Sequence, residues 1–138
     1  MTLKTVLAAA ACAAALAAQA APAAAPAKGG SMLVRIAEIE VFPQHLEEYM
    51  KLANEVDRAS IKREPGVVCL FPMHAEGRPE IVRIVEVYRS REDYAAHLKT
   101  RHFLKYKKET GHMVKDLKLN TMEAMDPSAM PLIFRKMR

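Results

Sequence analysis

Tryptophan, cysteine and glycine are scarce in this chain: none, two and five among 138 residues. The five glycines build no phosphate-cradling loop, and there is no G-x-S-x-G. Nucleotide cofactors and serine hydrolysis therefore have no support. Of the two cysteines, Cys12 lies in an alanine-rich leader and Cys69 in the apolar run VVCLF. Removal of the leader leaves Cys69 alone, which excludes an internal disulfide even in an oxidising compartment. In its apolar setting that thiol reads as buried and inert. Five histidines (His45, His74, His97, His102, His112) are scattered without H-E-x-x-H or C-x-x-C spacing, so no metal site is expected. No basic block with interleaved aromatics occurs, which argues against nucleic-acid binding.

What the chain has in excess is alanine, and most of it lies at the N-terminus. Residues 1–27 read MTLKTVLAAAACAAALAAQAAPAAAPA. Lys4 precedes an apolar run from Thr5 to about Ala18, and Ala18-Gln19-Ala20 supplies a small-x-small cleavage site. This layout is that of a signal peptide, residues 1–20, for a secreted and periplasmic protein. The run is shorter than the roughly 20 residues a spanning helix needs, so no membrane span is expected in the mature chain. A lipoprotein site at Cys12 is the alternative, with almost no apolar region upstream of it. Residues 21–31, with two prolines and Gly29-Gly30, form a flexible linker. Cleavage removes one cation, Lys4, and leaves 20 basic against 16 acidic residues, a mild net charge of +4.

The domain proper is expected over 32–126, with a short apolar and basic tail at 127–138. VRIAEIEV at 34–41 is rich in β-branched residues and predicts a strand. Pro43 suits the first turn of a helix from Gln44 to about Lys62, with Leu46, Met50, Ala53, Val56 and Ser60 at helical spacing. Glu47 and Glu48 sit early and Lys62 and Arg63 late, as the helix dipole favours. Pro65-Gly66 stops it. Strands at 67–74 and 80–88 flank a turn around Gly77 and read as a hairpin. Ser90 caps the next helix, with Asp93 in the place of the usual capping-box glutamate. That helix runs to about Lys99, Thr100 interrupts it, and a second piece spans 101 to about 115. A fourth strand covers 117–125.

The order strand, helix, strand, strand, helix, strand predicts an α+β, ferredoxin-like split β-α-β fold: a four-stranded antiparallel sheet with both helices on one face. The other face keeps apolar strand residues that need cover. In so small a domain a second copy pressed sheet against sheet is the expected cover, which makes a homodimer.

Glu86, Tyr88, Ser90, His97, Thr100, His102 and Phe103 form a pattern that resembles the antibiotic biosynthesis monooxygenase family, most closely its quinol-monooxygenase-like members, over about residues 32–125. The resemblance implies a dimeric α+β barrel. It also implies a possible monooxygenase that oxidises a small quinol-like or aromatic substrate with molecular oxygen as co-substrate and no metal or flavin. Related barrels degrade haem with a tryptophan and an axial histidine. Here those positions fall on His97 and Lys107, with His112 a turn further on, so haem chemistry is not expected.

Such oxygenation needs a base for the substrate proton, a dry pocket and a polar group beside the nascent anion. His97 is the expected base, with His102 and Tyr88 as polar catalytic groups. The two histidines face one pocket only if Thr100 breaks the helix, because five residues of ideal helix turn about 140°. Glu86 shares a strand face with Tyr88 and is expected to orient His97 and to bind substrate. Tyr49, Phe71, Phe103 and Tyr106 are expected to line the substrate cavity, with Met50 and Met73 beside them, although core packing is the default role for each. Arg35, Glu38 and Arg83 read as solvated or dimer-side charges. The alternative function is a non-catalytic small-molecule-binding or stress-related dimeric module of the same fold.

Overall fold

A computed structural model describes residues 32–138. The expected signal peptide and linker lie outside the described residues. β1 (Leu33–Val41) alternates, with Ala37, Ile39 and Val41 buried. A 3-10 turn at Pro43–His45 leads into α1 (Leu46–Arg63). That helix buries one stripe: Tyr49, Ala53, Val56, Asp57 and Ser60. The stripe is the expected one, except that Tyr49 takes the inner place assigned to Met50, which is half-buried. The helix stops where a proline must follow: Glu64, the residue before Pro65, is extended at φ −110° and ψ 104°.

β2 (Val67–Ala75) and β3 (Arg78–Tyr88) form the hairpin, turned at Gly77 with φ 72°. α2 (Arg91–His97) and α3 (Arg101–Thr110) follow, then β4 (Val114–Met122). The Ser90 Oγ accepts from the Asp93 amide at 3.0 Å and donates to its carboxylate at 2.9 Å, so aspartate completes the capping box. α2 is two residues shorter than expected. Thr100 is extended, its hydroxyl donates to the His97 carbonyl at 2.8 Å, and it caps α3 by accepting from the Phe103 amide.

α3 also ends earlier than expected, at Thr110 rather than near Lys115. Gly111 costs helix stability, and Met113 turns inward into the core, where its amide bonds Thr110 and its carbonyl accepts from Phe42. β4 therefore begins at Val114 and closes three residues before the expected end.

The strands form one antiparallel sheet in the order β2-β3-β1-β4. Helices α1, α2 and α3 lie on one face, as the split β-α-β pattern predicts. Two apolar clusters fill the space between: Ala37, Ile39, Val41, Tyr49, Ala53, Val82, Ile84 and Met113 in one, and Leu33, Val67, Leu70 and Tyr88 in the other. The opposite face carries Val34, Ile36, Phe71, Met73, Val85 and Met122, of which Phe71 is 59% exposed. The tail forms a 3-10 turn and α4 (Met130–Arg135), whose Met130 and Phe134 flank a hollow shared with Met32 and Val68. Among the described residues no helix is long and apolar enough to cross a membrane.

Candidate functional site

The polar residues of the inner face gather in two adjoining groups. The first lies between sheet and helices. α1 projects Tyr49 and Asp57 toward β3, which presents Glu86 and Tyr88 on the same face as the buried Val82 and Ile84. Arg35 pairs with Glu86 across the β1–β3 ladder. The Tyr49 and Tyr106 hydroxyls bond at 2.8 Å, and Tyr88 donates to Glu86 at 3.1 Å. The Arg35 guanidinium stacks 4.6 Å over the Tyr94 ring.

Burial governs the electrostatics here. Loss of water, with the Glu86 charge nearby, pushes the Asp57 carboxyl up to about 7. Burial also raises Glu86, against the opposing effects of the Tyr88 hydrogen bond, Arg35 and His97. The phenols of Tyr49, Tyr88, Tyr94 and Tyr106 are all held above their usual range, chiefly by burial. Among the described residues, two buried side-chain atoms have no hydrogen-bond partner: Asp57 Oδ2 and Arg35 Nε.

The second group closes the far end of α1. Glu64 accepts from His97 Nδ1 at 3.0 Å and from His102 Nε2 at 2.5 Å. Burial opposes the Glu64 charge, but the two imidazole hydrogen bonds outweigh it and hold the carboxyl below its ordinary value. The Thr100 break is what brings both histidines to one carboxylate. His97 is 3% exposed, with Phe103 and Tyr88 rings at 4.7 and 5.4 Å. A groove of about 500 Å³ between α1 and α3 is lined by Val56, Lys62, Arg101, His102, Lys105 and Tyr106, among others.

The carboxylate that orients His97 is thus Glu64, not Glu86, whose oxygen is taken by Tyr88. His102, Tyr88, Tyr49, Phe103 and Tyr106 all lie on the helix side with His97. Phe71 does not: it pairs with Val85 and so points from the opposite face, because alternation along β2 allots the inner positions to Leu70 and Pro72. Cys69 shares the Phe71 face, half-buried rather than buried, its thiol raised mainly by burial. Arg83 is on that face too, paired with Glu38 at 3.1 Å.

Sequence reasoning missed Asp57, Glu64 and the inward role of Arg35. Asp57 left a signal, since a carboxylate eight residues after Tyr49 falls on the inner stripe of α1. Glu64 left none, because its position depends on where α1 ends relative to the α2–α3 junction.

An antiparallel sheet that packs an acidic and phenolic group of side chains under helices on one face has the ferredoxin-like α+β architecture. A family model for antibiotic biosynthesis monooxygenases matches residues 32–109. The chain is 36% identical to a candidate antibiotic biosynthesis monooxygenase from Bacteroides thetaiotaomicron, with a TM-score of 0.69 over 70% of this chain and 92% of that one. A second candidate of that description, from Nitrosomonas europaea, is 25% identical, with a TM-score of 0.66 over 72% and 95%. A candidate monooxygenase from Lactobacillus acidophilus, 27% identical with a TM-score of 0.65, is matched over 67% of this chain and 44% of its own. No curated protein matches. The chain belongs to the antibiotic biosynthesis monooxygenase family.

Proposed function

We propose that the protein is a cofactor-independent monooxygenase that takes a small quinol-like substrate into a chamber between its sheet and helices and oxidises it there. The observation that carries this reading is the pair of unpartnered buried atoms, Asp57 Oδ2 and Arg35 Nε. Leaving such groups unsatisfied costs about 1–3 kcal/mol each, and a phenolic substrate matches both. Asp57 accepts the phenol proton, and the Arg35 guanidinium faces the oxygen anion. The electron-rich anion then reduces molecular oxygen. A quinol that gives up four electrons takes one oxygen atom as a new ring hydroxyl and releases the other as water, leaving a hydroxyquinone. The apolar packing of Tyr88, Tyr94 and Phe103 keeps water from the anion.

In this reading Asp57 takes the base role that the sequence pattern assigns to His97. His97, tied to Glu64, is a positioning residue at the chamber's end. Oxygen uptake against a panel of quinols tests the assignment. Asp57→Asn should lower kcat at least about 100-fold, while His97→Ala retains most of the uptake. The reverse result returns the base to His97. Uptake absent from the wild type with every quinol, together with a small molecule bound and unchanged after aerobic incubation, would leave a binding module instead.

The proposal extends to assembly and location. The apolar outer face supports a homodimer closed sheet on sheet, and the leader supports export to the periplasm.

A further inference from the structure

Glu64 lies just past the end of α1, His97 closes α2 and His102 opens α3. His97 and His102 lie 33 and 38 residues after Glu64 in sequence, yet all three side chains meet at one point. One carboxylate oxygen, His97 Nδ1 and His102 Nε2 all lie within 4.8 Å of one another. His97 Nδ1 faces both oxygens of Glu64 almost equally, at 3.0 and 3.2 Å, so a single N–H would be shared between them. A first-row divalent cation holds nitrogen and oxygen ligands at about 2.0–2.2 Å. Ligands at that radius stand roughly 3.0–3.5 Å apart; His97 Nδ1 already stands 3.0 Å from the Glu64 oxygen, and His102 Nε2, at 2.5 Å, needs a small outward shift.

We propose that Glu64, His97 and His102 bind a first-row divalent transition-metal ion. Two borderline imidazoles outweigh one hard carboxylate, and the set suits zinc, iron, cobalt or nickel rather than calcium or magnesium. Each donor is held by the backbone around it. Pro65 fixes the extended turn that carries Glu64. The Thr100 hydroxyl and amide both bond the His97 carbonyl, which sets the angle between α2 and α3. Such support for the ligands is what a metal site needs in order to bind without rearrangement.

Three protein ligands leave coordination positions open, and His102 places them at the wall of the groove between α1 and α3. Arg58, Lys62, Arg63 and Arg101 line the same groove. They lower the affinity for a bare cation and favour an anionic group as the additional ligand. The site does not use Asp57, Arg35 or oxygen and stands independently of the oxygenase reading.

The test uses the full chain without an added histidine tag, stripped with a chelator and titrated with Co²⁺. The expected result is one ion per chain with a visible ligand-field absorption that Zn²⁺ abolishes. Glu64→Gln and His102→Ala should each weaken Co²⁺ binding at least about tenfold. His112→Asn should not, although His112 belongs to the other close histidine pair, with its ring 5.0 Å from that of His45. A second measurement needs no variant: Zn²⁺ should shift the imidazole ¹⁵N resonances of two histidines, one through Nδ1 and one through Nε2. The proposal is overturned by unchanged binding in Glu64→Gln and His102→Ala, by loss in His112→Asn, or by shifts in other histidines. Oxygen uptake plays no part in any of these readings, so a failed oxygenase assay leaves them intact.

Discussion

Asp57 is the residue whose protonation the fold governs most directly. Its carboxyl is raised from 3.8 to about 7 by burial and by the Glu86 charge. A carboxyl raised on folding stabilises the protein below its unfolded value, and that contribution is lost as the pH climbs through the folded one. Stability should therefore fall between about pH 4 and pH 7, by up to roughly 4 kcal/mol at the full shift. Asp57→Asn removes this dependence. Denaturant unfolding should find the variant close to wild type at pH 4 and more stable at pH 8. In the proposed reaction the same ionisation would set the activity: kcat/KM should rise through about pH 7 in the wild type, because only the carboxylate accepts a proton. A profile still rising through pH 7 in Asp57→Asn would assign the base elsewhere.

At the scale of elements, the break at Thr100 and the contact at Gly66 hold the site together. Thr100 is at once the cap of α3 and the brace on the His97 carbonyl. Thr100→Ala should cost about 1 kcal/mol, seen as a lower midpoint of thermal unfolding, and should loosen His102 from Glu64, seen as a shifted His102 imidazole resonance. Gly66 lies where a Cβ would stand 2.3 Å from the Asp93 carboxyl carbon. Asp93 cannot move aside freely, since Arg89 grips it through two hydrogen bonds at 2.9 and 3.0 Å. Gly66→Ala should destabilise by roughly 2 kcal/mol, measurable by thermal or denaturant unfolding. The capping box and the Pro65-Gly66 stop were legible in the sequence, because each acts within a few residues. The end of α3 was not: Met113 continues the helical spacing, and only its place in the core draws it out of the helix.

For the whole molecule, the outer sheet face is the surface on which the proposed homodimer rests. Phe71 and Val85 stand opposite each other on it, and Met73 and Met122 extend the apolar surface. Sedimentation of residues 32–138 at micromolar concentration should give the mass of two copies, and Val85→Arg should give the mass of one while keeping a cooperative melt. Charge on an apolar interface remains unpaired and desolvated, which is the reason for that outcome.

Fold class, element order and the histidines of the site were written in local patterns: β-branched alternation, helical spacing, caps and stops that operate between near neighbours. Which carboxylate holds His97, that Asp57 Oδ2 and Arg35 Nε are left without hydrogen bonds, and that Phe71 turns away from the helices were decided only when the chain closed. These depend on strand register and on the angle between helices joined across 30 to 40 residues, and a contact of that kind has no periodicity to reveal it.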